Sequence, residues 1–318
     1  MNPVEITRGN SPLVLGLPHT GTDVPPEIHA HLNARGQGLD DTDWHIHRLY
    51  DGLIPDVTSV RATFHRYVID ANRDPSGASL YPGQNTTGLV PLTDFDGRDI
   101  WETPPDPTEV EARRLAFHAP YHAALWDELQ RVHDLHGFAL LYDCHSIRSN
   151  IPYLFEGTLP DFNIGTNSGV TCDPRIERLT QDICARASGC SSVLNGRFKG
   201  GWTTRHYGQP ANGIHAIQME LAQPAYLASE TQPWTYDHSR ADDLRIRACE
   251  DTRGALDGED LPRRLYHLDA FGFHRFGGNR PTLRHNLLEL IGRQAVGPIL
   301  LNHRIAAHLI PQMRLIQV

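Results

Sequence analysis

The sequence predicts an α/β protein built on a parallel or mixed sheet with helices packed on its faces. Three apolar runs, at Leu13–Leu17, 138–142 and 214–220, and the helix-like stretches between them carry that prediction. The first run breaks at Pro18-His19-Thr20-Gly21, the grammar of a buried strand ending in a loop, so His19 falls at a strand's carboxyl end. The second leads into Asp143-Cys144-His145-Ser146, and the third ends on Met219-Glu220. Helices are expected at 44–53, at 108–135 with Glu109 and Glu111 in the first turn, at 174–187 and at 236–255. Open α/β sheets collect ligands at the carboxyl ends of their strands, which can bring His19, His145 and Glu220 together. The segments 73–107 and 150–173, rich in Gly, Pro and Asn, are too long for plain connectors and suit substrate walls or lids.

Composition narrows the function. With 318 residues, 39% hydrophobic and 21% charged, the chain has the balance of an ordinary globular protein able to bury a sizeable core. A formal charge of −9 speaks against general binding to nucleic acid or to an anionic membrane, since phosphate recognition leaves a basic footprint. A small acidic substrate stays open, because one buried Arg can reverse the local sign. No apolar run reaches the roughly 18 residues of a membrane span, and Met1 to Asn10 lack the core of a signal peptide, so the cytoplasm is the expected compartment. Five cysteines without metal-finger spacing fit reduced thiols. From Leu261 acidic residues become scarce and Arg recurs. The organisation expected is a metallohydrolase domain over 1–260 and a C-terminal extension over 261–318. That extension either packs on the main domain as short helices or adds a contact between copies in a homo-oligomer.

Hydrolysis at a metal needs two or three His or carboxylate ligands, an open position for water and a carboxylate to take the water's proton. His19 and His145 are the leading ligand candidates. Asp143 either orients a ligand imidazole or forms a turn. The run Asp40-Asp41-Thr42-Asp43 precedes a helix, so Asp43 either binds metal or helps to cap that helix; Asp23 is the alternative third ligand. In Asp70-Ala71-Asn72-Arg73-Asp74, the planar fork of Arg73 suits a substrate carboxylate, or else pairs with Asp70 or Asp74. The stretch 198–208 holds the chain's only lysine with Thr203, Arg205 and His206, the mixture of a substrate loop or of a surface turn. Glu220 interrupts an apolar strand where burying a carboxylate is costly, which makes it the candidate general base. A thiol hydrolase using Cys144 with His145 is the weaker alternative, because adjacent strand residues point to opposite faces.

Taken together, Pro18-His19-Thr20-Gly21, Val68-Ile69-Asp70-Ala71-Asn72-Arg73, Asp143-Cys144-His145-Ser146, the segment 198–208 and Ala216-Ile217-Gln218-Met219-Glu220 resemble the N-formylglutamate amidohydrolase family of histidine breakdown. The resemblance covers roughly residues 10–255. It implies a three-layer α/β/α fold of the phosphorylase/hydrolase type, with kinship to zinc carboxypeptidases and aspartoacylases. It also implies one divalent metal, zinc, and a small acidic N-acyl amino acid as substrate. By that resemblance His19 and His145 are metal ligands and Glu220 activates water. Asn72 and Arg73 hold a substrate carboxylate, with Arg205 or His206 for a second one and Thr203 beside them. Carboxypeptidase-like sites carry a Glu three residues after the first His; here Thr22 stands there, and Asp43 is chosen over Asp23 as third ligand. Other N-acyl amino acids such as N-formylaspartate, a small peptide, or metal-dependent binding without catalysis are the competing readings.

Overall fold

The computed structural model describes residues 1–79 and 85–245. The expected extension over 261–318 and the second half of the helix expected at 236–255 lie outside the described residues; the first half is helical at 238–245.

Seven strands form one sheet: β1 (Val4–Thr7), β2 (Leu13–Leu17), β3 (Thr58–Ala62), β4 (Ala139–Ile147), β5 (Phe162–Gly165), β6 (Ser192–Leu194) and β7 (Ile214–Ala222). Their order is β1-β3-β2-β4-β7-β5-β6. The β2–β3, β2–β4, β4–β7 and β5–β6 pairs are parallel, whereas β1 and β5 run antiparallel to β3 and β7, so the sheet is mixed. The chain leaves β2 towards β3 on one side and later returns to β4 on the other. The carboxyl ends of β2 and β4 therefore flank a switch point, the place where such sheets leave a crevice.

Side chains alternate across this sheet as the pleat requires. Leu13, Leu15, Leu17, Tyr142, Ile217 and Met219 pack with Ile46, Leu49 and Tyr50 of α2 (Ile46–Tyr50) and with Cys184 of α5 (Pro174–Arg186). On the opposite face Val14, Val60, Leu141 and Ala216 pack with Tyr121, Leu125, Leu129 and Val132 of α4 (Ala119–His136) and with Tyr207 of α6 (Trp202–Tyr207). Two helical layers thus enclose the sheet, the α/β/α arrangement expected. The spacing of 121, 125, 129 and 132 is that of one helix face. All four are fully buried, and burying a side chain of that size contributes about 1.5–3 kcal/mol.

The long helix expected at 108–135 is set by its ends. Asp106 accepts the N–H of Glu109 and Pro107 opens α3 (Pro107–Arg113), while Gly137, at φ 75°, closes α4 in a left-handed conformation. Between α3 and α4 the chain makes a π-helical turn, Arg114–His118. The remaining helix, α1 (Pro26–His29), is a single turn, and no helix among the described residues is long and apolar enough to cross a membrane.

Candidate active site

Three strands bring the site together. His19 follows β2 and turns back along the sheet, its carbonyl accepting the Asp43 N–H at 3.0 Å. Gly21 makes that turn feasible: a Cβ there would lie 2.3 Å from the Thr63 carbonyl carbon, so only glycine lets the loop pass the end of β3. On β4 and β7 the parallel register sets Asp143 beside Gln218 and His145 beside Glu220. Alternation places these four on the face that carries α4 and α6, while Cys144 points to the other core. The thiol reading fails on that geometry. Burial, with Asp143 and Asp43 nearby, also pushes the Cys144 thiol well above its ordinary range.

Among the described residues, His19, Asp43 and His145 each offer one metal-ligating atom, all within 4.8 Å of one another. Asp43 Oδ2 has His145 Nδ1 at 3.1 Å and His19 Nδ1 at 3.8 Å, and its Oδ1 accepts from Arg66 Nη2 at 2.6 Å. Behind each ring stands a carboxylate: His19 Nε2 lies 2.6 Å from Asp70 Oδ1, and His145 Nε2 lies 3.1 Å from Asp143 Oδ1. Those carboxylates are anchored in turn, Asp70 by the Asn72 N–H at 2.8 Å and Asp143 by the Thr204 hydroxyl at 2.9 Å. An imidazole backed by a carboxylate at one nitrogen and presenting the other is the arrangement that metal-binding histidines adopt. His19 Nδ1 is buried without a hydrogen-bond partner, and a cation held between it, Asp43 and His145 would satisfy it. The residues present therefore fit a small divalent ion.

The electrostatics agree. Burial lowers the basicity of His19, aided by Arg66, and keeps that ring a neutral lone-pair donor. Burial alone would raise the Asp43 carboxyl, but Arg66, the hydrogen bond to His145 and the neighbouring rings outweigh it and hold it ionised. At His145 burial disfavours charge, yet Asp143 and Asp43 prevail and raise its proton affinity well above the ordinary range. That is a strongly negative position, the potential a cation would meet.

Asp43 is thus the third member of the group. Asp23 is exposed at the edge of the β3 end, its N–H on the Thr63 carbonyl. The capping alternative for Asp43 is overturned: the residue at the start of α2 is His45, at φ 61°, with no side-chain cap. Asp41, another acid of the run, accepts from Tyr67 Oη at 2.8 Å and from the Phe95 N–H at 2.9 Å.

The group opens into a cavity of about 260 Å³ whose lining includes His19, Arg66, Asn72, Arg73, His145, Arg197 and Glu220. Burial pushes the Glu220 carboxyl up to about 8, against the opposing pull of His145. Gln218 steadies it, donating to Glu220 Oε2 at 3.0 Å while accepting the Gly201 N–H at 2.6 Å. Asn72 spans the site: its Oδ1 accepts the Thr203 N–H at 2.9 Å and its Nδ2 lies 3.1 Å from His145 Nε2. A Cβ on Gly201 would meet the Asn72 amide at 2.3 Å, so glycine is required where α6 begins. Arg73 donates from Nε to the Thr87 carbonyl at 2.9 Å and from Nη2 to the Thr87 hydroxyl at 2.8 Å.

Three of the expected substrate residues stand elsewhere. Thr203, Arg205 and His206 are not among the lining residues: α6 starts at the cavity and carries them away from it. Arg205 donates to the Gly200 carbonyl at 2.9 Å, and His206 stacks on Trp202 with ring centroids 4.4 Å apart. Thr203 contributes through its backbone N–H on Asn72. Sequence reasoning passed over Arg66, Gln218 and Arg197. Arg197 directly precedes the stretch singled out at 198–208, and Gln218 shares the Glu220 face of its strand by simple alternation, so both had a signal.

A mixed sheet between two helical layers, with a metal-capable His19–Asp43–His145 group beside the carboxyl ends of its parallel strands, defines the class: a three-layer α/β/α protein with a candidate metal centre. Comparison with known proteins makes the class particular. The sequence model described as N-formylglutamate amidohydrolase matches residues 11–227, and the chain belongs to that family. It is 46% identical over 241 residues to the N-formylglutamate deformylase of Pseudomonas aeruginosa, covering 75% of this chain and 90% of that one. To the N-formylglutamate deformylase of Pseudomonas putida it is 45% identical over 243 residues, again with 75% and 90% coverage. Among solved structures, the N-formylglutamate amidohydrolase of Ralstonia eutropha JMP134 superposes with a TM-score of 0.66 at 26% identity, covering 80% of this chain and 98% of that one.

Proposed function

We infer that this protein is an amidohydrolase that converts N-formyl-L-glutamate and water into L-glutamate and formate. One observation carries the reading: His19 and His145 of the metal-capable group, the buried Glu220 and the guanidinium groups of Arg66, Arg73 and Arg197 line the same small cavity. In this account His19, Asp43 and His145 hold one zinc ion. Bound there, the ion would polarise the formyl carbonyl and acidify a water molecule. Glu220 accepts the proton of the attacking water and passes it to the departing amine nitrogen. Burial raises this carboxyl, so it can hold the proton between the two transfers, and a cation beside it would favour the ionised form that accepts the proton first. Asp70 and Asp143 keep the two rings oriented, and Arg66 keeps Asp43 ionised.

Asn72 and Arg73 meet one substrate carboxylate. The Arg73 guanidinium is fixed in advance by Thr87 and by the Asn72 carbonyl at 3.0 Å, and its Nη1 also lies 3.7 Å from Asp70 Oδ2, so the pairing with Asp70 and the place on the cavity wall coexist; the substrate carboxylate would meet the guanidinium edge that these partners hold in place. Arg197 takes the part first given to Arg205 and His206, as partner of the second carboxylate, because it is the one on the cavity wall. An acidic protein thereby selects an acidic N-acyl amino acid. We place the reaction in the cytoplasm, within histidine breakdown.

Formate release from a panel of N-formyl amino acids tests the substrate. N-formyl-L-glutamate is expected to show the highest kcat/KM, and N-formyl-L-norvaline, whose side chain ends in methyl where glutamate has its carboxylate, a value lower by 10²-fold or more, as for a site left with an unpaired buried charge. Equal values for the two would remove Arg197 and the side-chain carboxylate from the account.

A further inference from the structure

On the far side of the 70–74 segment from the cavity, α4 and the π-helical turn before it present two buried histidines to the backbone. His118 Nε2 lies 3.0 Å from the Arg73 carbonyl oxygen, and His122 Nε2 lies 2.8 Å from the Ala71 carbonyl oxygen. A carbonyl only accepts, so both rings carry their proton on Nε2 and donate. Burial lowers the proton affinity of both, which keeps each ring neutral with that single donor. The two rings lie one helical turn apart with centroids 4.3 Å from each other, and the edge of Trp202 closes on His122 at 4.8 Å. Tyr207 Oη stands 2.9 Å from His122 Nδ1, the acceptor nitrogen of that tautomer, and 3.2 Å from the His122 carbonyl oxygen, so its one hydroxyl holds both the ring and the backbone of His122. The two grasped carbonyls flank Asn72, the residue that reaches both His145 and the start of α6. His118 closes the π-helical turn Arg114–His118, a widened turn of the kind that recurs at functional sites.

We propose that His118 and His122 are positioning residues that grip the Arg73–Asp74 and Ala71–Asn72 peptides and so set the Asn72 side chain and the Arg73 fork for the substrate carboxylate. Neither touches the substrate; each acts through a carbonyl. The proposal rests on the reading above that Asn72 and Arg73 meet the substrate. Loss of one grip lets the 71–73 backbone shift, and a displacement of about 1 Å in a positioning group can cost up to 10²-fold. Because that group binds a part of the substrate remote from the bond broken, the loss falls mainly on KM.

The test compares His118→Leu, which keeps bulk and removes the donor, with His118→Gln, whose amide N–H can still reach the Arg73 carbonyl. KM and kcat for N-formyl-L-glutamate, thermal midpoint and metal content are measured on the metal-replete full chain. His118→Leu is expected to raise KM about tenfold with kcat within about threefold, and His118→Gln to restore most of the KM at the same metal content. Equal KM in the two variants, or a KM that follows the thermal midpoint alone, overturns the proposal. Tyr207→Phe, which removes only the hydroxyl that orients His122, supplies the second arm should His118→Leu not fold. A KM raised about threefold supports the grip, and an unchanged KM overturns it. Wild-type protein that releases no formate from N-formyl-L-glutamate would instead sink the functional reading, and this proposal with it.

Discussion

Glu220→Gln is expected to reduce turnover by about 10²–10⁴-fold, the usual contribution of a general acid–base group, while leaving metal content and fold intact. The amide keeps the size of the carboxyl but neither accepts a proton from water nor returns one to the leaving nitrogen. Its surroundings tolerate the change, because a group that burial already pushes up to about 8 loses little by becoming permanently neutral. The Gln218 side-chain amide can still donate to the remaining carbonyl oxygen. Turnover and bound metal must be read on the same purified samples. Near-normal turnover would dismiss Glu220 as the base, and loss of the metal would make it a ligand.

His145→Ala is expected to act differently, losing metal and activity together. His145 sits between Asp43 and Asp143, both buried, at 3.1 Å from each. Without the ring and without a cation those two carboxylates face each other across a void, and breaking a buried charge network of this kind typically costs about 3–5 kcal/mol. The expected result is turnover at background, less than one tenth of the wild-type metal content and a lower thermal midpoint. A His145→Ala protein that keeps its metal would place the ion elsewhere.

The parts of the site legible in the sequence were those that follow apolar runs. His19, His145 and Glu220 could be read because β2, the first half of β4 and much of β7 are apolar and buried on both faces, so that a polar residue following or interrupting them stands out. The long helix was legible for a local reason, a Pro-led cap at one end and a glycine at the other. Asp43 was ambiguous because an Asp-Thr-Asp run before a helix satisfies a capping pattern equally well; only Arg66 and His145, 23 and 102 residues further along the chain, decide what its carboxylate does. Strands β5 and β6 escaped notice for another reason. Four residues, Phe162–Gly165, and three, Ser192–Leu194, are too short to set up an alternation; β5 gains strand geometry from β7 beside it, and β6 from β5. Where Arg205 and His206 stand was not legible, because a one-dimensional motif does not show which way a short helix runs. The six-residue α6 starts at the cavity and leaves it within a turn.

The central claim is that the buried His19–Asp43–His145 group works as a metal site for amide hydrolysis. It is tested most directly by removing metal from the purified protein with a chelator, restoring zinc in measured increments, and following formate release from N-formyl-L-glutamate against bound metal. The account predicts background activity in the stripped protein and recovery that is linear in bound zinc up to one ion per chain. Undiminished formate release from protein shown to contain no metal would contradict it.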